Sequence, residues 1–428
     1  MLLLLLSLSQ TLLAAATAAA ADSLSLPTSP SLVFTNGMNG VPCFRIPSVT
    51  TTNIIGELLA FAGAYCQAST DGCDAVGPRA KNMTHGYVAV RKSTDFGNTW
   101  GTLMEVPGTA IPCAQGLRTH ADIIWDGVRN ATVLLSQHQR VPCCRHPYEQ
   151  AKPIITMTKS TDSGVTWAAS VSPLPGLELN AAVSPGGGIQ LQRGPHAGRL
   201  VSVAQTSNTS WTGPGGTDRP DDCASHDCDV IFFSDDGGDN WRRATPTIER
   251  NDEASLVELA DGTLLMSLRG AYPGAPVNMS PKRRQIHSTD GGSTWQPIGR
   301  LIQDFGNASC YGSMVRAGSS LVFSHPFAHG AELAACWKHG RAAGWPGLAR
   351  CNGTLFTSRD EGNTWQPWEQ ATGGNASQLF AYSDLAVLEG SLSEPPSLGL
   401  LYETSSINGG CEGPSCSLMW KRFPLPPS

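Results

Sequence analysis

The sequence predicts an all-β protein built by repetition, a radial propeller of short strands. Three observations carry this. One turn motif returns five times along the chain, 46 Gly and 30 Pro supply many turns, and no long segment combines a helical period with caps. The motif is Ser-x-Asp-x-Gly-x-Thr-Trp. It stands at residues 93–100, 160–167, 288–295 and 358–365, and a fifth copy at 234–241 has Asn240 where the others have Thr. The tryptophans fall at Trp100, Trp167, Trp241, Trp295 and Trp365, between 54 and 74 residues apart. Each interval holds about four strands of ordinary length with their turns.

The motif has the chemistry of a hairpin turn. An Asp side chain bonds the backbone downstream of it, Gly supplies a left-handed position, and Thr and Trp resume the strand. The indole then buries a large ring between neighbouring sheets. Around the copies, short runs such as Tyr87-Val88-Ala89-Val90 and Thr263-Leu264-Leu265-Met266-Ser267-Leu268 read as strands.

Composition excludes several function classes. With 428 residues, 40% hydrophobic and only 15% charged, the chain is neither a coiled coil nor a charge-driven disordered protein. A net charge of −6 without a basic run argues against a nucleic-acid partner. Residues 1–21, an apolar stretch after Met1 followed by small residues, read as a signal peptide. That stretch is short for a bilayer span, and no apolar tail precedes Ser428, so no stable membrane anchor is expected.

Two further features point to a secreted or lumenal protein. Asn-x-Ser/Thr sequons begin at Asn82, Asn130, Asn208, Asn278, Asn307, Asn352 and Asn375. The 13 cysteines include the close pairs Cys143/Cys144, Cys223/Cys228 and Cys411/Cys416, which suggest disulfides. No Cys-x-x-Cys pair supports zinc, and the odd count leaves at least one thiol over or paired between chains.

The five repeats resemble the Asp-boxes of sialidase-type β-propellers. Phe44-Arg45-Ile46-Pro47 resembles that family's N-terminal motif, and residues 184–191 with Gly198-Arg199-Leu200-Val201 look like its central segment. The resemblance covers residues 34–424. It implies a six-bladed β-propeller over residues 30–428 and an exo-α-sialidase acting on sialylated glycans, with no metal or cofactor. The Asp-boxes lie away from the active site in that family, which gives Asp95, Asp162, Asp236, Asp290 and Asp360 structural roles.

The resemblance also implies the site. Arg45, Arg269 and Arg350 match the family's carboxylate clamp, whose guanidinium forks suit a sugar acid and stay charged at any working pH. Tyr382, in Tyr382-Ser383-Asp384-Leu385, matches its nucleophile and Glu253 the base paired with it; Glu258 is the local competitor. A neutral phenol avoids the repulsion an anionic nucleophile would meet from the substrate carboxylate. The acid/base Asp belongs on the loop beyond Leu58-Leu59-Ala60-Phe61. Spacing favours Asp71 there, and the residues following Asp74 resemble a bacterial acid/base segment, so both stay open with a lean to Asp74. Arg283 and Arg284, within Lys282-Arg283-Arg284, read as a solvated strand face. The chain departs from the family at residues 62–65, where Ala-Gly-Ala-Tyr replaces Ala-Glu-x-Arg. That departure keeps three alternatives in view: hydrolysis of a related keto-deoxy sugar acid, a trans-sialidase, and a non-catalytic glycan-binding propeller.

Overall fold

The computed structural model of the protein describes residues 26, 29–66, 83–113, 121–138, 154–171, 181–206, 228–245, 248–249, 253–269, 283–296, 300–302, 310–327, 350–373, 378–405 and 416–427. Six antiparallel sheets succeed one another along the chain as the blades of a propeller. The innermost strands are Cys43–Thr51, Ala121–Asp126, Ala181–Val183, Ala254–Glu258, Met314–Ala317 and Ser383–Leu388, in blades 1 to 6. Blade 6 is closed by the start of the chain. Its outermost strand is Ser31–Thr35, paired with Cys416–Pro424.

That closure explains five turn motifs on six blades. Each copy turns the chain at the end of a blade's third strand, as residues 93–100 do after His85–Ser93. In blade 6 the third and fourth strands come from opposite ends of the chain, so no hairpin exists to turn.

The turns share one hydrogen-bond pattern. In the first, Ser93 Oγ donates to Asp95 Oδ1 at 2.7 Å and accepts from Gly97 N at 2.8 Å. Asp95 then accepts from Thr99 N at 2.8 Å and from Thr99 Oγ1 at 2.6 Å. The divergent copy loses nothing, because Asn240 Nδ2 donates to Asp236 Oδ2 at 2.7 Å where a threonine hydroxyl donates elsewhere. Gly97 needs its lack of a side chain twice over: its φ is +83° and a Cβ would lie 2.1 Å from the Trp420 indole. Trp241, Trp295 and Trp365 are buried between blades, while Trp100 and Trp167 are half-buried at the same kind of seam.

The core is therefore divided among the six seams between blades, with a seventh small cluster of Ile46, Cys310, Tyr311, Ala381 and Tyr382 near the axis. Polar side chains stitch the inner strands across the same seams. Ser48 Oγ donates to Ala121 O at 2.8 Å, Ser184 Oγ accepts from Ala254 N at 3.1 Å, and Arg316 Nε donates to Glu258 O at 3.1 Å. Asp384 accepts from Val49 N at 2.8 Å and Ser313 Oγ at 2.7 Å, and Asp122 accepts from Gly188 N at 2.8 Å and Ser202 Oγ at 2.5 Å. The Gly-rich stretch after Pro185 passes between these two carboxylates. A Cβ on Gly186 would meet the Asp384 carboxyl at 2.5 Å, and one on Gly188 would meet Asp122 at 2.5 Å.

One disulfide, Cys66–Cys113, joins two strand ends in blade 1, and Cys351 is also disulfide-bonded. Among the sequons, Asn130 lies exposed in a turn, whereas Asn352 is buried and its Nδ2 donates to Phe327 O at 2.6 Å. Asn352 therefore does not present itself for modification. Among the described residues no helix is long and apolar enough to cross a membrane.

Candidate active site

Strand direction gathers the candidate residues on one face. Inner strands run from this face to the other, so Arg45, Glu253 and Tyr382 sit at or beside the starts of three of them. Second strands return to it, placing Arg269 just beyond Leu264–Leu268; third strands leave it again, placing Arg350 ahead of Gly353–Ser358. The turn-motif aspartates lie at the opposite strand ends.

Tyr382 is the hub. Its hydroxyl donates to Glu253 Oε1 at 2.5 Å and accepts from Arg269 Nη1 at 3.3 Å. The other Glu253 oxygen pairs with the same Arg269 nitrogen. The Arg45 and Arg350 guanidinium carbons lie 5.5 and 5.4 Å from the Tyr382 ring centroid. All five side chains are buried. Glu258 is settled elsewhere: it accepts from Gln192 N at 2.8 Å and Arg193 N at 3.0 Å on blade 3, so it does not compete for the Tyr382 hydroxyl. Asp71 and Asp74 lie outside the described residues.

A residue that sequence reasoning missed holds the arrangement from below. Glu403, on Ser397–Ser405, takes Arg45 in a fork, with Nε at 3.2 Å from Oε1 and Nη2 at 3.1 Å from Oε2. It also accepts from Ile46 N at 2.7 Å and Tyr382 N at 3.4 Å. Ile46 has φ +57°, a strained value for a β-branched residue, at a register shift between Arg45 and Ser48. The bond to Glu403 anchors that bulge. The sequence signal was a lone carboxylate inside the apolar strand Leu400-Leu401-Tyr402-Glu403.

Arg283 corrects the sequence expectation of a solvated strand face. It is only 2% exposed, and Arg284 beside it is half-buried. The Arg283 side chain runs inward, with Nη1 at 2.8 Å from Cys310 O and Nε at 3.0 Å from Ser267 Oγ. Tyr311 stacks on Tyr382 with centroids 6.2 Å apart and planes 15° from parallel; burial, with Asp384 next in effect, pushes its phenol well above the ordinary value. Burial raises Asp384 to about 7 and Asp122 to about 6.

Among the described residues the cluster thus has three guanidiniums, Arg45, Arg269 and Arg350, against two carboxylates, Glu253 and Glu403, around one phenol, a net positive arrangement able to grip an anion. The BNR repeat-like domain family matches residues 140–393, more than half of the chain. The chain belongs to the BNR repeat-like domain family. It is 30% identical over 387 residues to a sialidase of Micromonospora viridifaciens, covering 86% of this chain and 51% of that protein. It spans, then, about half of that relative's length. A Hadza microbial sialidase shares the fold at TM-score 0.64 and 18% identity, over 92% of this chain and 68% of that one. A leech intramolecular trans-sialidase does so at TM-score 0.62 and 16% identity, over 93% and 70%.

Proposed function

We propose that the protein is an exo-α-sialidase that releases terminal sialic acid from glycans with retention of configuration. The observation that carries the reading is the Tyr382–Glu253 bond at 2.5 Å inside a ring of guanidiniums. In this reading Arg45, Arg269 and Arg350 hold the substrate carboxylate, which places the anomeric carbon before Tyr382. The phenol oxygen attacks that carbon while its proton passes to Glu253, already in hydrogen-bond contact. Asp74 or Asp71 protonates the departing glycosidic oxygen, then takes a proton from the water that cleaves the glycosyl-tyrosine bond, while Glu253 returns its proton to the departing phenol oxygen. Arg269 touches both the hydroxyl and the carboxylate, which favours negative charge on the couple as the proton moves.

The same reading makes the protein exported. Residues 1–21 are its signal peptide, and residues 30–428 are its propeller domain. The disulfide Cys66–Cys113 supports an oxidising compartment, secreted or lumenal. The test is hydrolysis of a fluorogenic α-sialoside by the wild type, Tyr382→Phe, Asp71→Asn and Asp74→Asn. Turnover that Tyr382→Phe and one of the two Asn variants abolish is expected. No turnover by the wild type, on this substrate or its keto-deoxy analogue, leaves a glycan-binding propeller instead.

A further inference from the structure

The stack of Tyr311 on Tyr382 is a contact that the reaction above leaves unused. Tyr311 is wholly buried, in the small axial cluster with Ile46, Cys310, Ala381 and Tyr382. The two ring centroids stand 6.2 Å apart with planes 15° from parallel, an offset stack within the ordinary range of about 4.5–7 Å. The Tyr311 hydroxyl has no hydrogen-bond partner among the described residues. What Tyr311 offers its neighbour is therefore a flat face rather than a polar tip. The backbone beneath that face is fixed independently of the ring. Cys310 O accepts from Arg283 Nη1 at 2.8 Å, Ser313 N donates to Ser324 Oγ at 3.3 Å, and Ser324 N donates to Ser313 O at 2.9 Å. Across the seam, Ser313 Oγ donates to Asp384 Oδ1 at 2.7 Å and accepts from Leu385 N at 3.1 Å. The hydroxyls of Ser324 and Ser383 meet at 2.8 Å. Blades 5 and 6 are thus laced together next to the two rings, and none of these bonds uses the Tyr311 side chain.

We propose that Tyr311 is a positioning residue of the reaction: its ring is a wall that holds the Tyr382 ring in line for attack on the anomeric carbon. The inference rests on the reading of Tyr382 as nucleophile and extends it to the side of the ring. The other restraints on Tyr382 act at its two ends. Its hydroxyl is tied to Glu253 at 2.5 Å and to Arg269 at 3.3 Å, and its backbone nitrogen to Glu403 at 3.4 Å. The hydroxyl bonds change during the reaction, because the proton passes to Glu253 and the oxygen turns to carbon. The ring contact involves no proton and no charge, so it acts alike before attack and after it. Position matters here, since a misplacement of about 1 Å at a reacting atom costs on the order of 10²-fold in rate. A flat wall limits the sideways swing of the Tyr382 ring about its Cα–Cβ bond. An aliphatic chain of similar volume fills the space and leaves that swing free.

The experiment is steady-state kinetics on the α-sialoside for the wild type, Tyr311→Leu and Tyr311→Phe. The inhibition constant of free sialic acid is measured alongside, because it reads the arginine clamp without the chemistry. In Tyr311→Leu, kcat is expected to fall about 10- to 100-fold while KM and the inhibition constant hold their wild-type values. Tyr311→Phe keeps the wall and discards only the unpartnered hydroxyl, and is expected to restore the lost kcat. If Tyr311→Leu does not fold, Tyr311→Met fills the space without a flat face and is read in its place. A wild-type kcat in the aliphatic variant overturns the proposal. A loss in Tyr311→Phe as deep as in Tyr311→Leu gives the role to the hydroxyl and overturns it too. So does an inhibition constant that rises in step with the fall in kcat, which makes Tyr311 a support of the clamp. A wild type without turnover overturns the functional reading along with this one; turnover with kcat unmoved in Tyr311→Leu overturns this inference alone.

Discussion

Asp384→Asn should make the protein more stable at alkaline pH and flatten its pH dependence. Asp384 is 3% exposed on the axis of the propeller, and burial raises its carboxyl to about 7 against an ordinary value of ~3.9. The folded chain therefore holds a proton that the unfolded chain releases. Stability falls as pH rises from about 4 through about 7, and is level above. Three units correspond to about 4 kcal/mol in full, of which about 3 kcal/mol accrues between pH 5 and pH 8. Asparagine is nearly isosteric, can accept from Val49 N and can donate to Ser313 Oγ; Leu385 N loses its bond to Asp384 Oδ1 at 3.0 Å and keeps the one to Ser313 Oγ at 3.1 Å. Other groups act in the same range. Asp122, raised by burial to about 6, adds to the slope, while His325, held neutral by burial and by Arg283, opposes it below the ordinary histidine value of ~6.5. Both proteins share these groups, so the difference between them reads Asp384 together with its coupling to Asp122. The assay is urea unfolding of both proteins at pH 5, 6, 7 and 8 and fixed ionic strength. A gap that widens by about 3 kcal/mol in favour of Asp384→Asn toward pH 8 is expected. A constant gap, or a variant less stable at pH 8 than the wild type, refutes the reasoning.

Three other outcomes rest on single contacts. Glu403→Gln removes the ion pair that Glu403 makes with buried Arg45; a loss of about 2–3 kcal/mol in stability, with KM rising more than kcat falls, is expected from melting curves and steady-state kinetics. Ser234→Ala removes the hydroxyl that bonds Asp236 and Gly238, at the end of the blade away from the site. It should cost about 1–3 kcal/mol in unfolding and leave kcat/KM at 25 °C untouched. In protein made through a eukaryotic secretory pathway, peptide mass spectrometry should find glycan on exposed Asn130 and none on Asn352, whose amide is committed to Phe327 O.

The parts of the molecule that were legible in the sequence are those carried by contiguous residues. Ser, Asp, Gly and Thr of each turn bond one another within a few positions, so the pattern survives even where Asn240 replaces Thr. Arg45, Arg269, Arg350, Glu253 and Tyr382 each sit in a short segment with its own signature, and the fold brings the five together. The contacts hidden from sequence reasoning lie between blades. Glu403 meets Arg45 across 358 positions, and Asp384 meets Val49 across 335, distances at which no local pattern speaks. Arg283 was misread because a run of three cations suggests a wetted surface. On a strand, alternate residues face opposite ways, but both faces of this one pack on a neighbouring blade: Arg283 and Gln285 share the face toward blade 5, and Arg284 shares the face of buried Ile286 toward blade 3.

The most direct test of the central claim is covalent trapping. The protein is incubated with 2,3-difluorosialic acid, whose fluorines slow both steps of a double displacement, then digested and mapped by tandem mass spectrometry. Time-dependent inactivation with the added mass on Tyr382 is the result the account requires. An adduct on any other side chain, or rapid α-sialoside turnover with no adduct at all, contradicts it.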